Sequence, residues 1–177
     1  MSTRERRWPT PPALIALSAI PLTAGTMRVI QLTGGPAVLP ADHRIPALPL
    51  VMHIVGAAVF AIGGTLQFVP RIRRRHRAWH RYAGRALVVA GLLVAASALW
   101  MTLFHSAQPG TGDLLYGLRL TFGSAMAAFL VLGVIAARRR DVPAHRAWMI
   151  RAYAIGLAAG PRDAVPRCPR MGSIPGR

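Results

Sequence analysis

Twenty consecutive residues, Leu50 to Val69, carry no charged side chain, and the run ends directly in Pro70-Arg71-Ile72-Arg73-Arg74-Arg75-His76-Arg77. Coiled as a helix at about 1.5 Å per residue, such a run matches the roughly 30 Å hydrocarbon core of a bilayer. The arginines at its end mark the side that stays in the cytoplasm. The run therefore predicts an integral membrane protein. It also predicts helices, since backbone groups in hydrocarbon must be satisfied within their own segment.

Composition points the same way. Hydrophobic residues make up 53% of the chain and charged residues 15%, too little polar surface to cover a soluble globule of this size. The formal charge is nevertheless +17. In a soluble protein that balance points to nucleic acid. Here the arginines stand at the ends of apolar runs, where anionic lipid head groups are the nearer partner, and no nucleic acid is expected. All 22 basic residues are arginine, with no lysine or asparagine anywhere. Together with heavy Ala, Gly and Pro usage this reads as the codon bias of a high-GC bacterial genome, so it argues little for guanidinium chemistry. The single cysteine, Cys168, allows neither an intrachain disulfide nor a cysteine-based metal site.

Five apolar segments follow one another. The first, Pro11 to about Leu32, is preceded by Arg4, Arg6 and Arg7 and contains Pro21 and Arg28. It resembles a signal peptide at its start but stays apolar past Ala24, so an uncleaved first helix is expected. The second is Leu50 to Val69, the third Ala86 to Phe104 and the fourth Leu114 to Ala137, which contains only Arg119. The fifth, Ala147 to Gly160, has fourteen residues and includes Arg151, short of the roughly 17 that a span needs. This predicts an all-α, multi-pass transmembrane helical bundle with four firm spans and a short fifth. Residues 1–10 form a cytoplasmic N-terminal segment, 11–160 the helical domain and 161–177 a disordered tail.

Arginine counting orients the bundle. With the N-terminus inside, the cytoplasmic side holds three arginines before the first segment, seven from Pro70 to Arg85 and four from Arg138 to Arg146, against Arg44 alone in the outer connections. That asymmetry places the protein in a bacterial inner membrane with its N-terminus in the cytoplasm. The tail disagrees, because Arg162, Arg167, Arg170 and Arg177 would lie outside if the fifth helix crossed. Either that helix does not cross or the tail is foreign to the fold. An internal echo, His76-Arg77-Ala78-Trp79 and His145-Arg146-Ala147-Trp148, is compatible with two parallel helical hairpins, although His53 has no counterpart in the fourth segment.

His53 is the sharpest candidate for chemistry. An ionisable side chain inside an uncharged span needs a partner or a cavity, and the bland alternative is a hydrogen bond to another helix. Gln67 is a second buried polar group in the same segment. Gly56 and Gly63-Gly64 flatten that helix enough to admit either a neighbouring helix or a flat cofactor. The histidines also sort by depth, His53 and His105 at the outer ends of helices two and three, His80 and His145 at the inner ends of three and five. Two such pairs are what a di-haem b-type cytochrome needs, which makes haem b the alternative cofactor for a chain otherwise expected to carry none.

The arginine motifs opening helices three and five, His80-Arg81-x-x-Gly84-Arg85 and His145-Arg146-x-Trp148-Met149-Ile150-Arg151, suit a phosphate or carboxylate at a helix N-terminus, or topology alone. At helical spacing His80, Gly84 and the flank of Arg85 share one face, and Trp148 lies one turn from Arg151. Asp141 before Pro143 reads as an N-cap that can also pair with His145 or Arg146. None of the first four apolar segments contains Asp or Glu, so the usual carboxylate proton relay is missing. No phosphate-binding loop, His-Glu-x-x-His pair or Gly-x-Ser-x-Gly elbow occurs.

Taken together, His53, Gln67-Phe68 before an Arg-rich loop, His80-Arg81-Tyr82-Ala83-Gly84-Arg85 and His145-Arg146-Ala147-Trp148-Met149-Ile150-Arg151-Ala152-Tyr153-Ala154 resemble a bacterial domain-of-unknown-function family of predicted multi-pass membrane proteins. The resemblance covers roughly residues 50 to 160 and implies architecture without an established activity. Members of that family continue into more apolar sequence where this chain turns to Pro161-Arg162-Asp163, a departure that implies a truncated or out-of-frame C-terminus.

The function expected is a non-catalytic inner-membrane protein that binds a small anionic or amphipathic ligand, such as a lipid, between helices two, three and five. Its candidate ligand-binding residues are His53, Gln67, His80, Arg81, Arg85, His145, Arg146 and Arg151. The alternatives are a haem b-binding electron carrier using His53, His80, His105 and His145, and a small transporter subunit, which the missing carboxylates disfavour unless the chain forms a homo-oligomer.

Overall fold

A computed structural model describes residues 11–36, 46–69, 71, 75–105 and 112–158. They form five α-helices: α1 (Pro11–Leu32), α2 (Ala47–Gln67), α3 (Arg77–His105), α4 (Asp113–Arg138) and α5 (Val142–Ala158). Three of them, α2, α3 and α4, are long and apolar enough to cross a membrane. The N-terminal segment 1–10 and the tail expected to be disordered lie outside the described residues.

Two helices, α3 and α5, start well before the point at which the apolar composition alone places them. α3 begins nine residues before Ala86 and takes the His-Arg-x-x-Gly-Arg motif onto the helix. Arg77, Arg81 and Arg85, one turn apart, therefore form an exposed stripe along its first turns. α5 begins at Val142 and not at Ala147, and its 17 residues correct the fourteen expected. The cause is Asp141, whose carboxylate accepts the Ala144 N–H at 3.0 Å and so caps a turn that the apolar pattern could not reveal. α1 and α4 end alike, with the Gly35 N–H bonded to the Ile30 carbonyl and the Asp141 N–H to the Ala136 carbonyl, each at 2.9 Å. This closure needs a left-handed residue, supplied by Gly34 at φ 92° after α1 and by Arg140 at φ 62° after α4.

α2 packs on α3 and α5, α3 on α4 and α4 on α5, while α1 lies outside against α2 and α5. The four inner helices thus make a square with α3 and α5 on one diagonal. Between lipid-embedded helices close van der Waals contact replaces the hydrophobic drive, and small residues permit it. A Cβ on Gly63 would lie 2.6 Å from Leu87, and one on Gly91 would lie 2.7 Å from Phe60 and 2.8 Å from Leu130. Gly64 receives the Tyr153 ring and Gly133 receives Met149. Side chains of neighbouring helices therefore fill the notches at Gly63 and Gly64, and Gly56 faces Val94. The core they enclose is Phe60, Val94, Ala95, Met126, Leu130, Ala152, Tyr153 and Leu157.

These contacts fix the register. Residues 53 and 97, 56 and 94, and 63 and 87 face one another across α2 and α3, so facing numbers add to 150. Gln67 therefore stands opposite Ala83, one turn from His80.

Candidate functional site

His53 projects from the first half of α2 toward α3. Its Nδ1 lies 3.0 Å from the Ser97 hydroxyl and 3.2 Å from the Val94 carbonyl, and the Ser97 hydroxyl donates to the same carbonyl at 3.0 Å. A carbonyl only accepts and the Ser97 proton is already committed, so Nδ1 carries the imidazole proton. The intramembrane histidine thus binds another helix, the bland alternative that its position allowed. Within α1, Arg28 Nη1 donates to the Gln31 side-chain oxygen at 3.3 Å. Arg119 is exposed on α4.

The remaining candidates gather at the opposite, arginine-rich end. Gln67 is the informative residue there. Its carboxamide nitrogen and oxygen are both buried, and neither has a hydrogen-bond partner. Each such group costs about 1–3 kcal/mol relative to water when left unmatched. Arg81 and Arg85 are exposed on the α3 stripe, with the Arg85 guanidinium 5.9 Å above the Tyr82 ring. On α5 the Arg151 guanidinium sits 4.7 Å over Trp148, the pairing that their spacing of one turn predicts. Arg146 is exposed.

His80 and His145 occupy matching places in the two hairpins. The His80 N–H bonds the His76 carbonyl and the His145 N–H bonds the Asp141 carbonyl, each at 3.0 Å, so each histidine closes the first turn of its helix. The sequence echo pairs His76 with His145 and is therefore out of step with the fold by one turn. Across α2 and α5, Gly64 meets Tyr153 and Phe60 meets Gly156. Extending both registers along α2 puts His80 and His145 within about 3 Å of the same depth.

The side chain of His145 has a defined partner, because its Nδ1–H donates to the Gly133 carbonyl of α4 at 2.8 Å. Asp141 caps α5 through the Ala144 N–H. The other pairing expected by depth is not formed: His105 lies eight residues beyond Ser97, the residue facing His53, which is about 12 Å along α3. The His105 ring instead stacks on Trp100, with centroids 4.7 Å apart. Among the described residues no three His, Cys, Asp or Glu side chains converge as a metal site.

Two polar contacts went unread in the sequence. One is Ser97 as the partner of His53. The other joins α5 to α2, where the buried Tyr153 hydroxyl donates to the Ala61 carbonyl at 2.7 Å and lies 2.7 Å from the Thr65 hydroxyl. The only available signal was a tyrosine and a threonine in otherwise apolar stretches of separate helices.

The profile of a family described as Predicted membrane protein (DUF2306) matches residues 50–171, and the chain belongs to that family. The match takes in α2 to α5 and part of the Pro/Arg-rich end. No curated protein and no solved structure matched the chain.

Proposed function

For this member of a family of membrane proteins, we propose a non-catalytic role in binding a small anionic or amphipathic ligand, with a membrane lipid as the leading class. The ligand binds at the arginine-rich end between α2, α3 and α5. The observation that carries this reading is the Gln67 carboxamide, buried with both polar atoms unmatched one turn from His80 and beside the exposed arginines of α3. A ligand bringing one hydrogen-bond donor and one acceptor relieves that cost, while Arg81, Arg85, Arg146 and Arg151 supply the charge complement. His80 and His145 flank the same depth; His53 serves helix packing.

The arginine count supports four spans with this end in the cytoplasm of a bacterial inner membrane, and α5 as a shorter fifth helix. Native mass spectrometry of detergent-purified protein, offered phosphatidylglycerol and phosphatidylcholine together, tests the reading. Phosphatidylglycerol adducts should persist at collision energies that strip phosphatidylcholine, and Gln67→Leu should remove most of that preference. Equal retention of both lipids by the wild type overturns it.

A second reading, a haem b carrier, draws support from His145. Its Nδ1–H bond to the Gly133 carbonyl holds the imidazole as second-shell carbonyls hold metal-binding histidines, at the depth of His80. A Soret band in protein purified from haem-replete cells, lost on His145→Ala, is the expected mark of that reading; a colourless preparation removes it.

A further inference from the structure

We infer that Gly84 keeps open a notch on α3 that seats the phosphodiester head group of an anionic phospholipid, a statement that rests on the ligand reading above and names its entry point. Gly84 lies on the same face of α3 as Leu87, Gly91, Val94 and Ala95, all buried. Along that face every position tested is covered: the Gly91 site is filled by Phe60 and Leu130, and Leu87 seats against Gly63. At Gly84 the covering stops. A Cβ built there has no heavy atom within 4 Å.

The gap is positive at its rim. By register Gly84 is one residue from the position facing Gln67, whose carboxamide atoms are buried and unmatched. Arg81 and Arg85 are exposed on either side in sequence. Neither α2 nor α3 contains an Asp or Glu, so no carboxylate on the two helices that flank the gap offsets the charge of its rim. A phosphodiester satisfies the arginines by charge-assisted hydrogen bonds. A hydroxyl on the same head group can both donate to and accept from the carboxamide, and acyl chains lie along the exposed apolar face of α2, which includes Leu66 and Ile62. Glycine in mid-helix costs backbone entropy that alanine would spare. Since nothing packs on Gly84, protein packing does not require the absence of a side chain.

The test compares full-length wild type, Gly84→Ala, Gly84→Leu and Gln67→Leu by native mass spectrometry with phosphatidylglycerol, with and without excess inorganic phosphate. Both Gly84 variants should fold at least as stably as the wild type, because the space is open and a side chain spares the helix the backbone entropy of glycine. Gly84→Leu should lose roughly tenfold in phosphatidylglycerol affinity, Gly84→Ala less, and inorganic phosphate should not displace the lipid. If Gly84→Leu binds as the wild type does while Gln67→Leu does not, the notch is overturned and the ligand reading stands. If the wild type itself retains phosphatidylglycerol no better than phosphatidylcholine offered beside it, the ligand reading fails. Displacement by inorganic phosphate overturns the lipid as the source of the phosphate. Failure of both Gly84 variants to accumulate shows that the space is filled by protein, which equally overturns the inference.

Discussion

Tyr153 of α5 and Thr65 of α2 meet hydroxyl to hydroxyl at 2.7 Å in the interior of the bundle; the Ala61 carbonyl lies 2.7 Å from the first and 2.9 Å from the second, so two protons are shared among three contacts. Tyr153 is 5% exposed and Thr65 3% exposed, so neither hydroxyl has water as an alternative. The contact ties α5 to its neighbour α2 along one side of the square of helices. Tyr153→Phe keeps the ring against Gly64 and Phe60 and removes only the hydroxyl, so the expected loss is about 1 kcal/mol of stability. Thermal unfolding in detergent, run with Thr65→Val and the double variant, measures the coupling. Additive single effects would show that the two hydroxyls act separately.

Arg140 occupies a left-handed backbone position, φ 62°, in the closure after α4 that Gly34 performs without strain after α1. A side chain there costs about 1 kcal/mol relative to glycine. Arg140→Gly is expected to raise the melting temperature in detergent, despite the loss of one arginine at that end of the bundle. A lower melting temperature would mean that the Arg140 side chain contributes more than its backbone costs.

How much of this was readable beforehand depends on whether a feature is local. The apolar runs of α2, α3 and α4 are local and gave those helices directly, and the histidine inside the second run was recognisable as a polar group in need of a partner. That partner, Ser97, is 44 residues away and follows from the α2–α3 register, which is set by where Gly56, Gly63 and Gly91 admit Val94, Leu87 and Phe60. The pairing of Thr65 with Tyr153, 88 residues apart, was hidden for the same reason. At α5 the local signal was present, as Asp141 followed by Pro143, but the helix start was read from the apolar pattern and came out five residues late.

His53 contributes through two acceptors on α3, and Ser97 supplies only one of them. His53→Leu should therefore destabilise the bundle by about 1 kcal/mol, and Ser97→Ala by less, because Nδ1–H retains the Val94 carbonyl. Denaturation of the two variants in the same detergent gives the order. A larger effect for Ser97→Ala would show that the serine carries the helix contact and that His53 has another role.

Gln67 offers the most direct measurement. An unmatched buried carboxamide is unfavourable in the protein alone and useful only when a ligand completes it, so stability and binding should move in opposite directions on replacement. The melting temperature of wild type and Gln67→Leu, each with and without phosphatidylglycerol, separates the two. The expected result is a higher melting temperature for Gln67→Leu without lipid, and a lipid-induced rise in the wild type that the variant lacks. A variant that is less stable without lipid, or that gains as much from phosphatidylglycerol as the wild type does, would contradict a ligand site at Gln67.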